Sequence, residues 1–221
     1  MKVLVIGASR GIGHEFVRQY REAGDAVTAS ARDDAGLERL RRLGATPIRL
    51  DVADTASASG LAWQIDGGGF DVGIVNAGVS AASGAGLTAP TEDDFDRVMR
   101  TNVLGPMRVI PQIVEALAPG GRIAVLSSRM GSIGSRTSAG SSLYRASKAA
   151  LNSVVKDASL AFVGRAVCIS FHPGWVRTDM GGSGADIDVA TSVSGMRRVI
   201  AGLVPGDSGG FFDYDGKVIP W

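Results

Sequence analysis

Six short runs of apolar and β-branched residues, VLVI, AVTAS, TPIRL, FDVGIV, RIAVL and AVCISF, recur along the chain with longer helical stretches between them. Few folds are compatible with that alternation. Strands that are apolar throughout must be covered on both faces, and helical connections between them make the strands run parallel. With 221 residues and 45% hydrophobic content, the chain is large enough to bury a substantial core as one domain. The expected class is therefore α/β: a single domain over residues 1–221, built on a doubly wound parallel β-sheet with helices on both faces. Gly24, Gly44, the run Gly67 to Gly69 and the pair Gly120-Gly121 punctuate the units as boundaries within this domain. Thr91, followed by Glu92, Asp93 and Asp94, predicts the capped start of a long helix.

The first unit carries a ligand signature. Lys2 to Ile6 reads as a buried strand and runs into Gly7-Ala8-Ser9-Arg10-Gly11-Ile12-Gly13, which opens a helical pattern. Gly7 suits a tight turn, Gly11 lets backbone approach a ligand with no Cβ in the way, and Gly13 lets helix and strand pack closely. The helix N-terminus then offers unpaired N–H groups to a pyrophosphate. The spacing is G-x-x-x-G-x-G rather than G-x-G-x-x-G, and an ordinary strand-to-helix turn could show the same glycines.

A second signature lies in SSLYRASKAALN, where Tyr144 and Lys148 stand four residues apart and hence on one helical face. A cation beside a phenol favours the phenolate, so Lys148 is expected to lower the titration of Tyr144 toward the range useful for acid–base catalysis. A surface helix pair would have the same spacing, and the glycine turn upstream is what weighs against that reading.

With these motifs together, the chain resembles the short-chain dehydrogenase/reductase family in its compact, single-domain form, with a Rossmann fold. The resemblance runs over nearly the whole chain in motif order: Gly7 to Gly13, Asp51-Val52, Asn76-Ala77-Gly78, Asn102, Ser127-Ser128, Tyr144 with Lys148, and Pro173-Gly174-Trp175-Val176-Arg177-Thr178. HPGWVRTDMGG and the C-terminal DGKVIPW look most like the C-factor and carbonyl-reductase-like branch.

The resemblance implies hydride transfer between a nicotinamide and a carbonyl or secondary alcohol, with Tyr144 as general acid/base. Lys148 would also bind the nicotinamide ribose, Ser128 would orient the substrate oxygen, and Asn102 would hold a water linking Lys148 to solvent. Gly7, Ser9, Arg10, Gly11, Ile12 and Gly13 would bind the pyrophosphate side, Asp51 and Val52 the adenine, and Asn76, Ala77 and Gly78 would flank the dinucleotide. Pro173 and Gly174 would also bind the cofactor, and after them the side chain of Thr178 and the backbone of Val176 would meet the nicotinamide carboxamide. Three stretches rich in small residues, Ser80 to Gly86, Gly131 to Ser142 and Met180 to Asp188, would lie near the cleft mouth, where loops carry specificity. Homo-oligomerisation, as dimer or tetramer, would use the Tyr144 helix and the one near Val189 to Leu203.

Two departures stand out. Ile6 occupies the place of a threonine that commonly ties the glycine turn to neighbouring backbone, which puts the turn's stability in question. Tyr144 stands sixteen positions after Ser128, a longer interval than in most relatives, because GSIGSRTSAGSS intervenes. Ser127 or Ser132 could therefore take the place of Ser128.

Cofactor choice turns on the end of the second strand. An acidic residue there would bind the ribose 2′-hydroxyl of NAD and repel the 2′-phosphate of NADP. Arg32 occupies that region, and with Arg10 it could pair with the phosphate through forked, charge-assisted bonds. NADP(H) is accordingly preferred and NAD(H) stays possible, because Asp33 and Asp34 adjoin the critical position, although they also suit the start of the next helix.

Several classes find no support. A net charge of +1, from 23 basic and 22 acidic residues, leaves no electrostatic footprint for nucleic acid or an anionic membrane. No segment approaches the ~20 apolar residues of a membrane span. The opening MKVLVIGA is a short apolar run, closed by Arg10 and needed as a strand, so a cytoplasmic location is expected. Cys168, the one cysteine, sits in AVCISF as a buried small hydrophobe. His14 and His172 lack partners at metal-ligand spacing and read as packing or hydrogen-bonding residues. G-x-S-x-G occurs at Gly7 to Gly11, which is the glycine turn itself, and at Gly206 to Gly210, whereas Ser128 stands in no such run, and a serine hydrolase is a poor third choice. The leading function is an NADPH-dependent oxidoreductase acting on a small or medium apolar carbonyl or alcohol. A C-factor-like nucleotide-binding signalling protein with incidental catalysis is the alternative. An epimerase or dehydratase on a sugar nucleotide usually needs a longer C-terminal substrate region.

Overall fold

In the computed structural model, which describes residues 1–80 and 87–221, the six expected strands pair in parallel and a seventh joins them. They are β1 (Lys2–Ile6), β2 (Ala26–Ala31), β3 (Thr46–Arg49), β4 (Phe70–Val75), β5 (Leu117–Leu126), β6 (Ala166–His172) and β7 (Phe211–Asp213), in the order β3-β2-β1-β4-β5-β6-β7. The seventh, FFD, is too short for a periodic signal, and its register against β6 places Asp213 beside His172.

The continuous apolar character of the strands follows from burial on both sides. Along β1, Val3 and Val5 face one core layer with Phe16, Val17, Leu40, Met196 and Ile200. Leu4 and Ile6 face the other, with Leu61, Val109, Ile113, Leu151 and Val155. The first layer thus draws on α1 (Gly11–Glu22), α2 (Asp34–Arg42) and α8 (Val189–Gly202). The second draws on α4 (Leu61–Ile65), which follows the short α3 (Thr55–Ser59), and on α6 (Gly105–Glu115) and α7 (Ser142–Ala161). This is the doubly wound, Rossmann-like α/β architecture that the strand pattern predicts.

Thr91 does cap a helix, accepting a hydrogen bond from Asp94 N at 3.2 Å with three acids in the first turn. The single long helix expected there is instead α5 (Glu92–Met99), a π-helical turn (Arg100–Leu104) and α6 in series. Strand order reverses about β1, so a crevice opens between the C-terminal ends of β1 and β4, where such sheets bind ligands. Among the described residues, no helix is long and apolar enough to cross a membrane.

Candidate active site

The crevice is a cleft of about 480 Å³. Its wall begins with the glycine turn after β1. Gly7 (φ +84°) and Gly11 (φ +56°) have backbone conformations that favour glycine. A Cβ on Gly7 would lie 2.7 Å from Ala77 backbone atoms, and one on Gly13 would lie 2.2 Å from Gly7 O and 2.6 Å from Asn76 Nδ2. Both glycines are therefore demanded by packing. Arg10, at the N-cap of α1, provides no side-chain cap, and the first turn holds no acid, so the helix end is electrostatically open to an anion.

Ile6 leaves the turn well anchored. Gly7 N donates to Ser30 Oγ at 2.8 Å, Asn76 Nδ2 donates to Gly7 O at 2.6 Å, and both Asn76 N (2.9 Å) and Ala77 N (3.1 Å) donate to Ile6 O. Ser30 and the Asn76 amide thus take over the work of the missing threonine.

On the opposite wall, α7 presents Tyr144 and Lys148 to the same cleft. Lys148 is buried and its Nζ donates to Leu126 O at 2.9 Å, lying 5.8 Å from the centre of the Tyr144 ring. Ser128 Oγ accepts from Met130 N at 3.2 Å and lies close enough to the Tyr144 phenol to pull its titration down. Its two rivals are occupied: Ser127 Oγ donates to Lys148 O at 3.4 Å, and Ser132 Oγ donates to Pro220 O at 2.5 Å. Asn102, fully buried in the π-helical turn, accepts from Val79 N and donates to Val79 O, both at 2.8 Å, and also donates to Ser147 Oγ at 3.1 Å.

A family model described as short chain dehydrogenase matches residues 1–186. The chain belongs to that family. C-signal of Myxococcus xanthus is 45% identical over 161 residues, covering 70% of this chain and 94% of that protein. Among solved structures, the carbonyl reductase Sniffer of D. melanogaster superposes with a TM-score of 0.91 at 29% identity, covering 100% of this chain and 99% of that one. An NADPH-bound carbonyl reductase from chicken fatty liver gives 0.86 at 31% identity, covering 100% and 98%.

Within this short-chain dehydrogenase, most of the residues singled out in the sequence line one cleft: Gly7, Ser9, Arg10, Gly11, Ile12, Arg32, Asp51, Val52, Asn76, Ala77, Gly78, Tyr144, Lys148, Pro173 and Thr178. Gly13, Asn102, Ser128, Gly174 and Val176 are not among the lining residues. Val176 is buried and pairs with Ile187, while Gly174 (φ +84°) turns the chain where a Cβ would lie 2.5 Å from Ile187 Cδ1. The Thr178 hydroxyl is engaged in its own loop, accepting from Gly181 N at 3.1 Å. Of the three small-residue stretches, Met180 to Asp188 reaches the cleft through Met180, whereas residues 81–86 lie outside the described residues.

One expectation needs correction. Tyr144 titrates above its usual value, chiefly because burial disfavours the phenolate, and the nearby Ser128 hydroxyl partly offsets this. Lys148, its ammonium bonded to Leu126 O and itself pulled down by burial to about 8, does not bring the phenol below its usual value. Arg10, expected beside Arg32 at a 2′-phosphate, forms an ion pair with Asp179 at 2.9 Å, and both arginines line the cleft. Asp33 and Asp34 are both engaged elsewhere: Asp33 caps α2 by accepting from Gly36 N at 2.6 Å, and Asp34 pairs with Arg49. Cys168 is buried, and its thiol is pushed up to about 11.

Residues that sequence reasoning missed fall into two groups. Ser147 links Asn102 to α7, accepting from Asn102 and donating to Tyr144 O at 2.8 Å. Its i+3 position from Tyr144 was a usable signal. Asp179 and Arg39, whose Nε donates to Ser9 O at 2.9 Å, are brought to the turn only by tertiary structure.

Proposed function

We propose that the protein is an NADPH-dependent carbonyl reductase, working reversibly on small or medium, largely apolar aldehydes or ketones. The observation that carries this reading is the single cleft that Tyr144 and Lys148 share with the glycine turn. The fit to a dinucleotide rests on the space left by Gly7 and Gly13 and on the open N-terminus of α1. Asp51 and Val52 would hold the adenine, Asn76 to Gly78 the middle of the cofactor, and the segment from Pro173 to Thr178 its nicotinamide end. With both neighbouring acids engaged, the Arg32 guanidinium is left to a 2′-phosphate, which favours NADP(H) over NAD(H). The NADPH held by the chicken carbonyl reductase supports the same choice.

When bound, the dinucleotide supplies the hydride. Tyr144 gives its proton to the carbonyl oxygen, and burial keeps the phenol protonated near neutral pH, as an acid must be. Ser128, beside the same phenol, orients the oxygen that receives the proton. Lys148 holds its charge against Leu126 O, beside the site of the nicotinamide ribose. The Asn102 side chain donates both amide hydrogens, to Val79 O and Ser147 Oγ, and accepts from Val79 N, so a water linking Lys148 to solvent would have the remaining lone pair of Oδ1 and the main chain of this turn to bind.

The test is a panel of aldehydes and ketones offered with NADPH or NADH, following cofactor absorbance and the alcohol formed. Reduction of apolar carbonyls with NADPH in preference to NADH is expected. Failure of every carbonyl with either cofactor overturns the reading. A signalling role is the second reading, favoured by the 45% identity to C-signal. It predicts a biological response that survives Tyr144→Phe.

A further inference from the structure

Arg10 and Asp179 meet across the cleft mouth, one on the glycine turn and the other on the loop that follows β6. Their side chains pair at 2.9 Å while 74% and 76% exposed, and both residues line the cleft. Asp33 is spent as a helix cap and Asp34 on Arg49, so Asp179 is the carboxylate paired with Arg10. Arg32, on the same wall, has no side-chain partner among the described residues, and Arg39 reaches Ser9 O of the turn.

We propose that Asp179 is a specificity-determining residue that competes with the 2′-phosphate of NADP(H) for the guanidinium of Arg10. This rests on the reading of the cleft as an NADP(H) site. A phosphate dianion offers Arg10 a stronger, forked partner than a single carboxylate oxygen. NADPH must displace Asp179 to gain that contact, whereas NADH has no group that claims Arg10 and leaves the pair in place. Asp179 therefore weakens NADPH binding selectively and holds the cofactor preference below what Arg10 and Arg32 would give alone. An exposed ion pair is weak, so the restraint is modest and falls with added salt.

The experiment is isothermal titration of NADPH and NADH into wild type, Asp179→Asn, Arg10→Gln and the double variant at low ionic strength. Asp179→Asn is expected to bind NADPH about two- to five-fold more tightly, the range open to an exposed pair, with NADH affinity unchanged. The gain should vanish in the Arg10→Gln background, because the competition acts through Arg10. No gain, an equal gain for both dinucleotides, or the same gain without Arg10 each overturns the proposal, the last two showing simple removal of a negative charge. A wild-type chain that binds NADH as tightly as NADPH sinks the cofactor reading together with the proposal, and that result is visible before any variant is compared.

Discussion

The two walls of the cleft are built by opposite means. On the β1 side the ligand surface is made by what is missing: Gly7 and Gly13 leave space that a Cβ would fill, and the contacts offered are backbone N–H groups of α1. On the α7 side it is made by polar side chains, the buried Lys148 and Asn102, fixed by Leu126 O and Val79, and the half-buried Tyr144 beside Ser128. A wall made of backbone tolerates change where no Cβ intrudes and fails where one does. A wall made of side chains fails where a partner is removed and a buried group is left unpaired.

That contrast is broken most severely by Gly13→Ala. Its Cβ would enter to 2.2 Å of Gly7 O, so a loss of about 3 kcal/mol or more in urea unfolding is expected, together with loss of NADPH binding. Gly60→Ala, with its nearest atom at 3.6 Å, should leave both nearly unchanged. Equal behaviour of the two variants would remove the steric argument for the turn. Asn102→Ala comes next, since it strands the N–H and C=O of Val79. A loss of about 2–3 kcal/mol is expected in the same assay, and an unaltered midpoint would show that the amide does not pin the segment after β4.

The smallest effect is a pH dependence. Burial holds the Lys148 ammonium at about 8, against 10.5 in the unfolded chain. Between those values the unfolded chain binds more protons, so the stabilising contribution is present above 10.5 and is lost as pH falls toward 8. Wild type should therefore gain about 2 kcal/mol relative to Lys148→Met as pH rises from 8 to 10. A wild-type-minus-variant difference that stays flat over that window would mean the ammonium is better solvated than its burial indicates.

The same contrast explains what could be read in the sequence. Backbone-built features were legible because glycine is itself the signal: the turn, its strand and its helix stand where GASRGIG places them. The fold was legible because both parities of the inner strands β1, β4 and β6 are buried, with β7 escaping notice at three residues. Side-chain roles were less legible, because they depend on third parties distant in the chain. Ser132 looked interchangeable with Ser128 until the C-terminal segment claimed its hydroxyl through Pro220. Arg10 looked free until Asp179, 169 residues away, was seen to pair with it. The influence of Lys148 on Tyr144 followed from helical spacing, but spacing carries no information about the Leu126 carbonyl that holds the ammonium.

The central claim is that the Tyr144 phenol delivers a proton inside a cleft that also receives the dinucleotide. It is tested most directly by measuring kcat for carbonyl reduction and Kd for NADPH in wild type and Tyr144→Phe. The account predicts a fall in kcat of about 10²–10⁴-fold with Kd essentially unchanged. Equal kcat in the two proteins would contradict it.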